Sequence, residues 1–246
     1  MVLNIIGIGL NDEKDITLKG LELVKASDEV YLESYTSKLE CPLENLEKLY
    51  GKEVKFANRE VVEQKAEELL LSKDKVISLL IIGDVFSATT HIDLMQRAKE
   101  LGIEVNVVHN ASVLTVIGVT GLSLYKFGKT TSIPFENENV ETPYNVLKEN
   151  GKLHTLFLLD LRPEEDKYMT FVGARDFLLR VENKKNEKVF SEETLCIGCA
   201  KLGSKNAVIQ VAKAKDLKEV DVYPQCLIVP GEMHFMEEEF LERFSL

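Results

Sequence analysis

Val76-Ile-Ser-Leu-Leu-Ile-Ile82-Gly83-Asp84 is the stretch that decides the fold. Six of its first seven residues are apolar, and the run stops abruptly at a glycine and a carboxylate. A near-continuous apolar run of this length reads as a strand buried on both faces, as in a parallel sheet. A helix is expected from about Thr90, with Leu94, Ala98 and Leu101 on its buried side and Gly102 as its stop. Thr90-His-Ile-Asp93 has the pattern of a capping box at that start. Ile103–Val108 then supplies another strand, so the segment reads as strand, loop, helix, strand.

The same rhythm extends in both directions. Val2–Ile8 is a second near-continuous apolar run, followed by a helix over Thr17–Ala26 with Leu18, Leu21 and Val24 on one side. Val30–Leu32 and Glu53–Phe56 are shorter strands, and Val62, Ala66, Leu69 and Leu70 predict a helix over Glu60–Leu71. After residue 110 the alternation loosens. His154–Leu159 is a strand and Ala174, Phe177, Leu178 and Val181 stripe a helix. Thr194–Ala200, Ala207–Ala212 and Cys226–Val229 then follow as strands with little helix between them, which suggests antiparallel pairing. A last helix is expected over Glu232–Phe244, and Glu136–Pro143 and Asn183–Lys188 read as surface loops. The expectation is an α/β protein of two domains. Residues 1–110 form an N-terminal α/β domain with a mainly parallel sheet, and residues 111–246 a C-terminal α/β domain with a mixed sheet.

Composition narrows the function. The 246 residues carry 30 Lys+Arg against 41 Asp+Glu, a net charge of −11, with 45% hydrophobic residues. That balance argues against direct nucleic-acid binding, which needs a basic face, and fits a small-molecule site or a basic protein partner. No apolar run approaches the roughly 20 residues of a membrane span. Met1-Val-Leu-Asn4 lacks the basic start of a signal peptide, so a soluble cytoplasmic protein is expected. Four cysteines are too few and too scattered for a disulfide framework, and the Cys196-Ile-Gly-Cys199 pair has no second ligand pair to make a zinc site. Its apolar flanks read as a buried strand, and no metal is expected.

The residues that could carry chemistry gather at strand ends. Gly7-Ile-Gly9 lets the backbone turn sharply and approach a ligand, but Asn11-Asp12 follow it and no helix starts at once, unlike a dinucleotide fingerprint. Gly83-Asp84-Val-Phe-Ser87 lies where open α/β sheets bind ligands, with Thr89, Thr90 and His91 as further donors; a helix cap is the alternative reading. Asn110-Ala-Ser112-Val113 follows another strand end. His109 and His154 border apolar strands and read as structural histidines. There is no P-loop, no GxSxG and no HExxH, so the residues alone do not reach a reaction.

Taken in order, several blocks resemble one family. They are Ile6-Gly-Ile-Gly-Leu10, Asp15-Ile-Thr-Leu-Lys-Gly-Leu21, Tyr31-Leu-Glu-Ser-Tyr-Thr-Ser37, Gly83-Asp84 with Ala88-Thr-Thr-His91, and Val108-His-Asn-Ala-Ser112. Gly121-Leu122, Leu124-Tyr-Lys-Phe-Gly-Lys129 and His154-Thr-Leu-Phe-Leu-Leu-Asp160 complete the set. The chain thus resembles the diphthine synthases, within the tetrapyrrole-methylase-like (class III) S-adenosylmethionine methyltransferases, from Met1 to about Glu242.

The resemblance implies two α/β domains with the methyl donor, S-adenosyl-L-methionine, in the cleft between them, and usually a homodimer. It implies methylation of the amino group of a 3-amino-3-carboxypropyl-histidine on elongation factor 2, in diphthamide biosynthesis, with S-adenosyl-L-homocysteine as product. The implied donor contacts are Leu10, Asp84, Ser87, Ser112 and Val113, the last two at the start of the second domain, and then Leu159, Leu202 and Gln225. Tyr125, Lys126 and His91 are candidates for contact with the elongation factor. Two departures stand out. Val85 replaces the proline common after Gly-Asp, and Gln225 replaces a common histidine, keeping a hydrogen bond but losing titration. No catalytic side chain is assigned. The alternatives are a relative of the same fold acting on a tetrapyrrole or ribosomal RNA, and a non-catalytic S-adenosylmethionine-binding module.

Overall fold

The apolar runs pair as parallel strands. A computed structural model describes residues 2–39, 41–71, 74–87 and 91–246. Its first unit runs through β1 (Val2–Gly7), α1 (Leu18–Ala26), β2 (Glu29–Glu33), α2 (Leu43–Tyr50), β3 (Val54–Ala57), α3 (Arg59–Glu63), α4 (Ala66–Leu69), β4 (Val76–Ile81), α5 (His91–Glu100), β5 (Glu104–Val108) and α6 (Val113–Val116). The strands form one parallel sheet in the order β3-β2-β4-β1-β5.

The pleat explains why β1 and β4 are apolar throughout. Leu3, Ile5, Ile77, Leu79 and Ile81 face one side, where they pack with Val62, Ala66, Leu94 and Ala98. Ile6, Ile8, Leu80 and Ile82 face the other and pack with Ile16, Val24, Leu46 and Tyr50. The polar interruptions are in register, Asn4 beside Ser78 and Asn106. Ser27 Oγ lies 2.7 Å from Ser78 Oγ, and Asn106 Nδ2 donates to Asn4 Oδ1 at 3.0 Å. A satisfied polar network of this kind rewards one register over its neighbours.

The second unit contains β6 (Thr131–Ile133), α7 (Thr142–Asn150), β7 (Thr155–Leu159), β8 (Leu161–Arg162), β9 (Lys167–Tyr168), α8 (Phe171–Lys185), β10 (Leu195–Ala200), β11 (Val208–Lys213), β12 (Gln225–Val229) and α9 (Phe235–Leu241). Its sheet has the order β11-β10-β12-β7-β6, antiparallel except for the parallel β6–β7 edge. The β8–β9 hairpin stands apart. Phe157, Phe171, Phe177 and Leu227 centre its core.

Several expectations change in detail. The units divide after Val116, six residues past the expected boundary at 110 (116 − 110), because Asn110–Val116 is bonded into the first unit. Ser112 and Val113 therefore belong to the first unit, not the second. The expected helix over residues 60–71 is two short ones, interrupted at Lys65, whose φ of −108° and ψ of 17° leave the helical region. The helix α2 was not foreseen. The expected loop at 136–143 gives way to α7 from Thr142, started by Pro143 in its first turn, and α8 continues through Lys185 into the expected loop at 183–188. The last helix begins only at Phe235, where His234 caps it. Thr90 lies outside the described residues, and so does its capping box.

The cysteine pair behaves as strand residues. Positions 196 and 199 differ by an odd number, so they face opposite sides of β10; Cys196 enters the core and Cys199 stands opposite Cys226 of β12. All four cysteines are free, and burial pushes the Cys196 thiol up to about 12. Among the described residues no helix is long and apolar enough to cross a membrane.

Candidate active site

Three loops leave the carboxyl ends of β1, β4 and β5 and tie to one another. Gly9 and Gly83 form an antiparallel bridge, with Gly83 N–H donating to Gly9 O at 2.7 Å. Gly7 must be glycine, because a Cβ there would lie 2.7 Å from Gly83 O and 3.0 Å from Asn110 Cβ. Gly83 sits at φ +91°, and a Cβ on it would meet Leu10 Cδ2 at 3.7 Å and Ser112 Cα at 3.9 Å. Leu10, Gly83 and Ser112 therefore come together at one point of the rim.

Carboxylates and an amide set the loops. Asp15 Oδ2 accepts from the Leu10 and Asn11 amides at 3.2 and 2.8 Å. Asn110 Nδ2 donates to Gly7 O and Asp15 O at 3.0 and 2.9 Å, which locks the β5 loop to the β1 loop. Asp84 joins the other pair. Its Oδ1 accepts from Phe86 N–H at 3.1 Å and Ser87 Oγ at 3.3 Å; its Oδ2 accepts from Asn110 N–H at 3.0 Å and His109 Nδ1 at 2.9 Å. Burial opposes ionisation of Asp84, but the Asn110 and Phe86 amides and the His109 ring outweigh it and hold the carboxyl below its ordinary value. Val85, where a proline was the expected stiffener, is buried in the core beneath this loop.

Ser112 is the exception to this full pairing. Among the described residues its Oγ is buried without a partner, in a residue only 4% exposed, while its carbonyl accepts from Thr115 Oγ1 at 3.0 Å. Such a hydroxyl is costly to leave unmade and cheap to satisfy with a ligand. Leu10, Asp84, Ser87 and Ser112 thus lie on the three loops of this rim, and Val113 opens α6 directly after the third.

The remaining expected contacts lie in the second unit. Leu158 pairs with Cys226 and Gln225 with Ala200, so one step further along the register sets Leu159 beside Gln225, with Leu202 just beyond β10. The three share one end of that sheet. The Gln225 amide, however, is already engaged: Nε2 donates to Val220 O and Val222 O at 2.9 Å each, and Oε1 accepts from Phe171 N–H at 2.9 Å. Both of its donors are spent inside the unit.

Sequence reasoning missed the roles of Asp15, Asn110 and His109. His109, read as a structural histidine, is 67% exposed at its side chain and paired with Asp84. The signal was hidden because Asp84 and His109 are 25 residues apart and meet only across the sheet order. Of the suggested elongation-factor contacts, His91 is buried with Nδ1 3.3 Å from Val85 O, and Lys126 Nζ sits 2.5 Å from the buried Glu237 carboxylate. Neither is free to dock. Tyr125, in the same motif as Lys126, is 89% exposed. Thr89 and Thr90 lie outside the described residues.

Comparison with known proteins places this rim in context. Residues 2–218 match the family of tetrapyrrole (corrin/porphyrin) methylases. The chain is 42% identical to the diphthine methyl ester synthase of Dictyostelium discoideum, covering 100% of this chain and 99% of that one. It is 44% identical to the diphthine synthase of Methanocaldococcus jannaschii over 96% of both chains. A crystal structure of diphthine synthase superposes with a TM-score of 0.89 at 35% identity, covering 100% of this chain and 96% of that one. The chain belongs to the tetrapyrrole methylase family and, within it, to the diphthine synthases.

Proposed function

We propose that the protein transfers methyl groups from S-adenosyl-L-methionine to the amino group of the 3-amino-3-carboxypropyl-histidine of elongation factor 2, and that the three-loop rim of the first unit holds the donor. The observation that carries this is the Ser112 hydroxyl, buried and unpartnered among the described residues beside Gly83, at the carboxyl ends of parallel strands where α/β sheets receive ligands. A group rich in hydroxyls and charged ends, such as this donor, fits that orphaned atom and the close backbone approach that Gly83 permits. Leu10 offers an apolar wall, Ser87 stands on the same loops, and Val113 directly follows the third. Leu159 and Leu202 are proposed as further contacts, with Gln225 reduced to holding the Phe171 amide. The resemblance further implies a homodimer, and the sequence reading a cytoplasmic location.

The donor supplies an already activated methyl group, so the chain's task is alignment and exclusion of water rather than strong acid–base activation. Asp84 and Asn110 do the aligning, by fixing the loops that carry Ser87, Ser112 and Val113. The net charge of −11 suits a basic acceptor surface.

The test is mass spectrometry of elongation factor 2 bearing the unmethylated side chain, incubated with the protein and S-adenosyl-L-methionine. A gain of three methyl groups supports diphthine formation, and a gain of four supports the further methyl ester named for the Dictyostelium relative. No gain, despite measurable donor binding, rejects the acceptor.

A further inference from the structure

The reaction proposed above leaves one task unassigned, removal of a proton from the acceptor nitrogen. An α-amino group is mostly protonated near neutrality, and an ammonium has no lone pair with which to attack. Each transfer needs a free amine and releases one proton. Something at the rim must receive it.

We propose that His109 is that proton acceptor, oriented by Asp84; the inference rests on the methyltransferase reading. Asp84 is ionised and can only accept, so the contact of 2.9 Å places the proton on His109 Nδ1. The other nitrogen, Nε2, then carries the lone pair. It makes no bond to protein among the described residues, in a side chain 67% exposed at the rim. The carboxylate–imidazole arrangement fixes the tautomer and stabilises the cation formed when Nε2 takes up a proton. Phe86 packs its ring edge against the imidazole, with centroids 5.9 Å apart, which restricts ring rotation. Asp84, from the β4 loop, is the charged group in contact with it.

Three features separate this pair from an ordinary surface contact. Asp84 is held from both loops by backbone amides, so its position does not depend on His109. His109 immediately precedes the Asn110–Ser112 segment that carries the unpartnered hydroxyl. The other histidine of the unit, His91, is buried with its ring turned inward on Val85 O and cannot serve. In the step itself, Nε2 takes the proton from the acceptor ammonium. The freed nitrogen pair forms the N–C bond as the C–S bond breaks, and the sulfur keeps the bonding pair. His109 then loses its proton to solvent before the next transfer.

The experiment compares wild type with His109→Ala and His109→Gln on modified elongation factor 2, together with calorimetry of S-adenosyl-L-homocysteine binding. The expected result is a fall of about 100-fold in turnover for both variants at neutral pH. Inhibitor affinity should stay within about twofold, and added imidazole should partly restore His109→Ala. Rescue is a readout that a merely structural contact does not move. Full activity in His109→Gln, which keeps a donor for Asp84 but cannot take up a proton, overturns the proposal. So does an inhibitor affinity that falls in parallel with turnover. A wild type that turns over while both variants match it rejects His109 alone; a wild type without turnover rejects the methyltransferase reading.

Discussion

A single unpartnered hydroxyl separates binding from folding at this site. Ser112 Oγ makes no bond among the described residues, so Ser112→Ala should leave stability within about 0.5 kcal/mol while weakening S-adenosyl-L-homocysteine about tenfold. Calorimetry and thermal melting read the two effects side by side. Asp84 behaves differently, because four donors meet on it. Asp84→Ala should cost about 2 kcal/mol of stability and weaken the donor more than Ser112→Ala does. Equal melting temperatures for Asp84→Ala and wild type would show that the loops hold without it. The strand-end glycines and Asp84 marked this rim in advance as a candidate ligand site, with a helix cap as the alternative reading of Asp84. The partners of Asp84 were not legible, since a hydrogen bond between residues 84 and 109 follows from which strands are neighbours and not from local spacing.

At the scale of elements, the Leu124-Tyr-Lys-Phe-Gly128 segment and α9 are joined through one buried carboxylate. Glu237 Oε1 accepts from Ser123 N–H at 2.8 Å, and Oε2 accepts from His234 N–H at 2.8 Å and lies 2.5 Å from Lys126 Nζ. His154 Nε2 stands 3.5 Å away. Burial would raise the carboxyl, but the His234 amide, Lys126 and the Ser123 amide prevail and hold it well below its usual 4.5. A folded-state value below the unfolded one contributes stability that is complete above about 4.5 and lost as pH falls toward the depressed value. Glu237→Gln should therefore cost about 3 kcal/mol at neutral pH and flatten the acid limb of the stability profile. Denaturant unfolding at several pH values checks both; an unchanged acid limb would show that another carboxylate governs it. This junction engages Lys126 within its own unit while Tyr125 stands exposed. Sequence periodicity identified the long strands well, since β1 and β4 are buried on both faces. It missed α2 and the helical start of α7, where short amphipathic turns carry little periodic signal, although Pro143 and Gly151 bracket α7 as a first-turn proline and a C-terminal glycine do.

For the whole molecule, the two-part α/β plan was readable from the change in rhythm after residue 110, and the strand order was not. The compact units divide after Val116, near the expected boundary, and the Asn110 side chain binds back to Gly7 and Asp15 in the first unit, which also contains Ser112 and Val113. The net charge also acts at this scale. If an acidic surface meets a basic acceptor, the KM for elongation factor 2 should rise several-fold between about 0.05 and 0.3 M salt while donor affinity barely changes. A salt-independent KM would assign docking to apolar contacts such as Tyr125. The most direct test of the central claim is a crystal structure with S-adenosyl-L-homocysteine. The account predicts the ligand on the loops after β1, β4 and β5, with a hydrogen bond to Ser112 Oγ; a ligand bound away from these loops, with that hydroxyl still unpartnered, would contradict it.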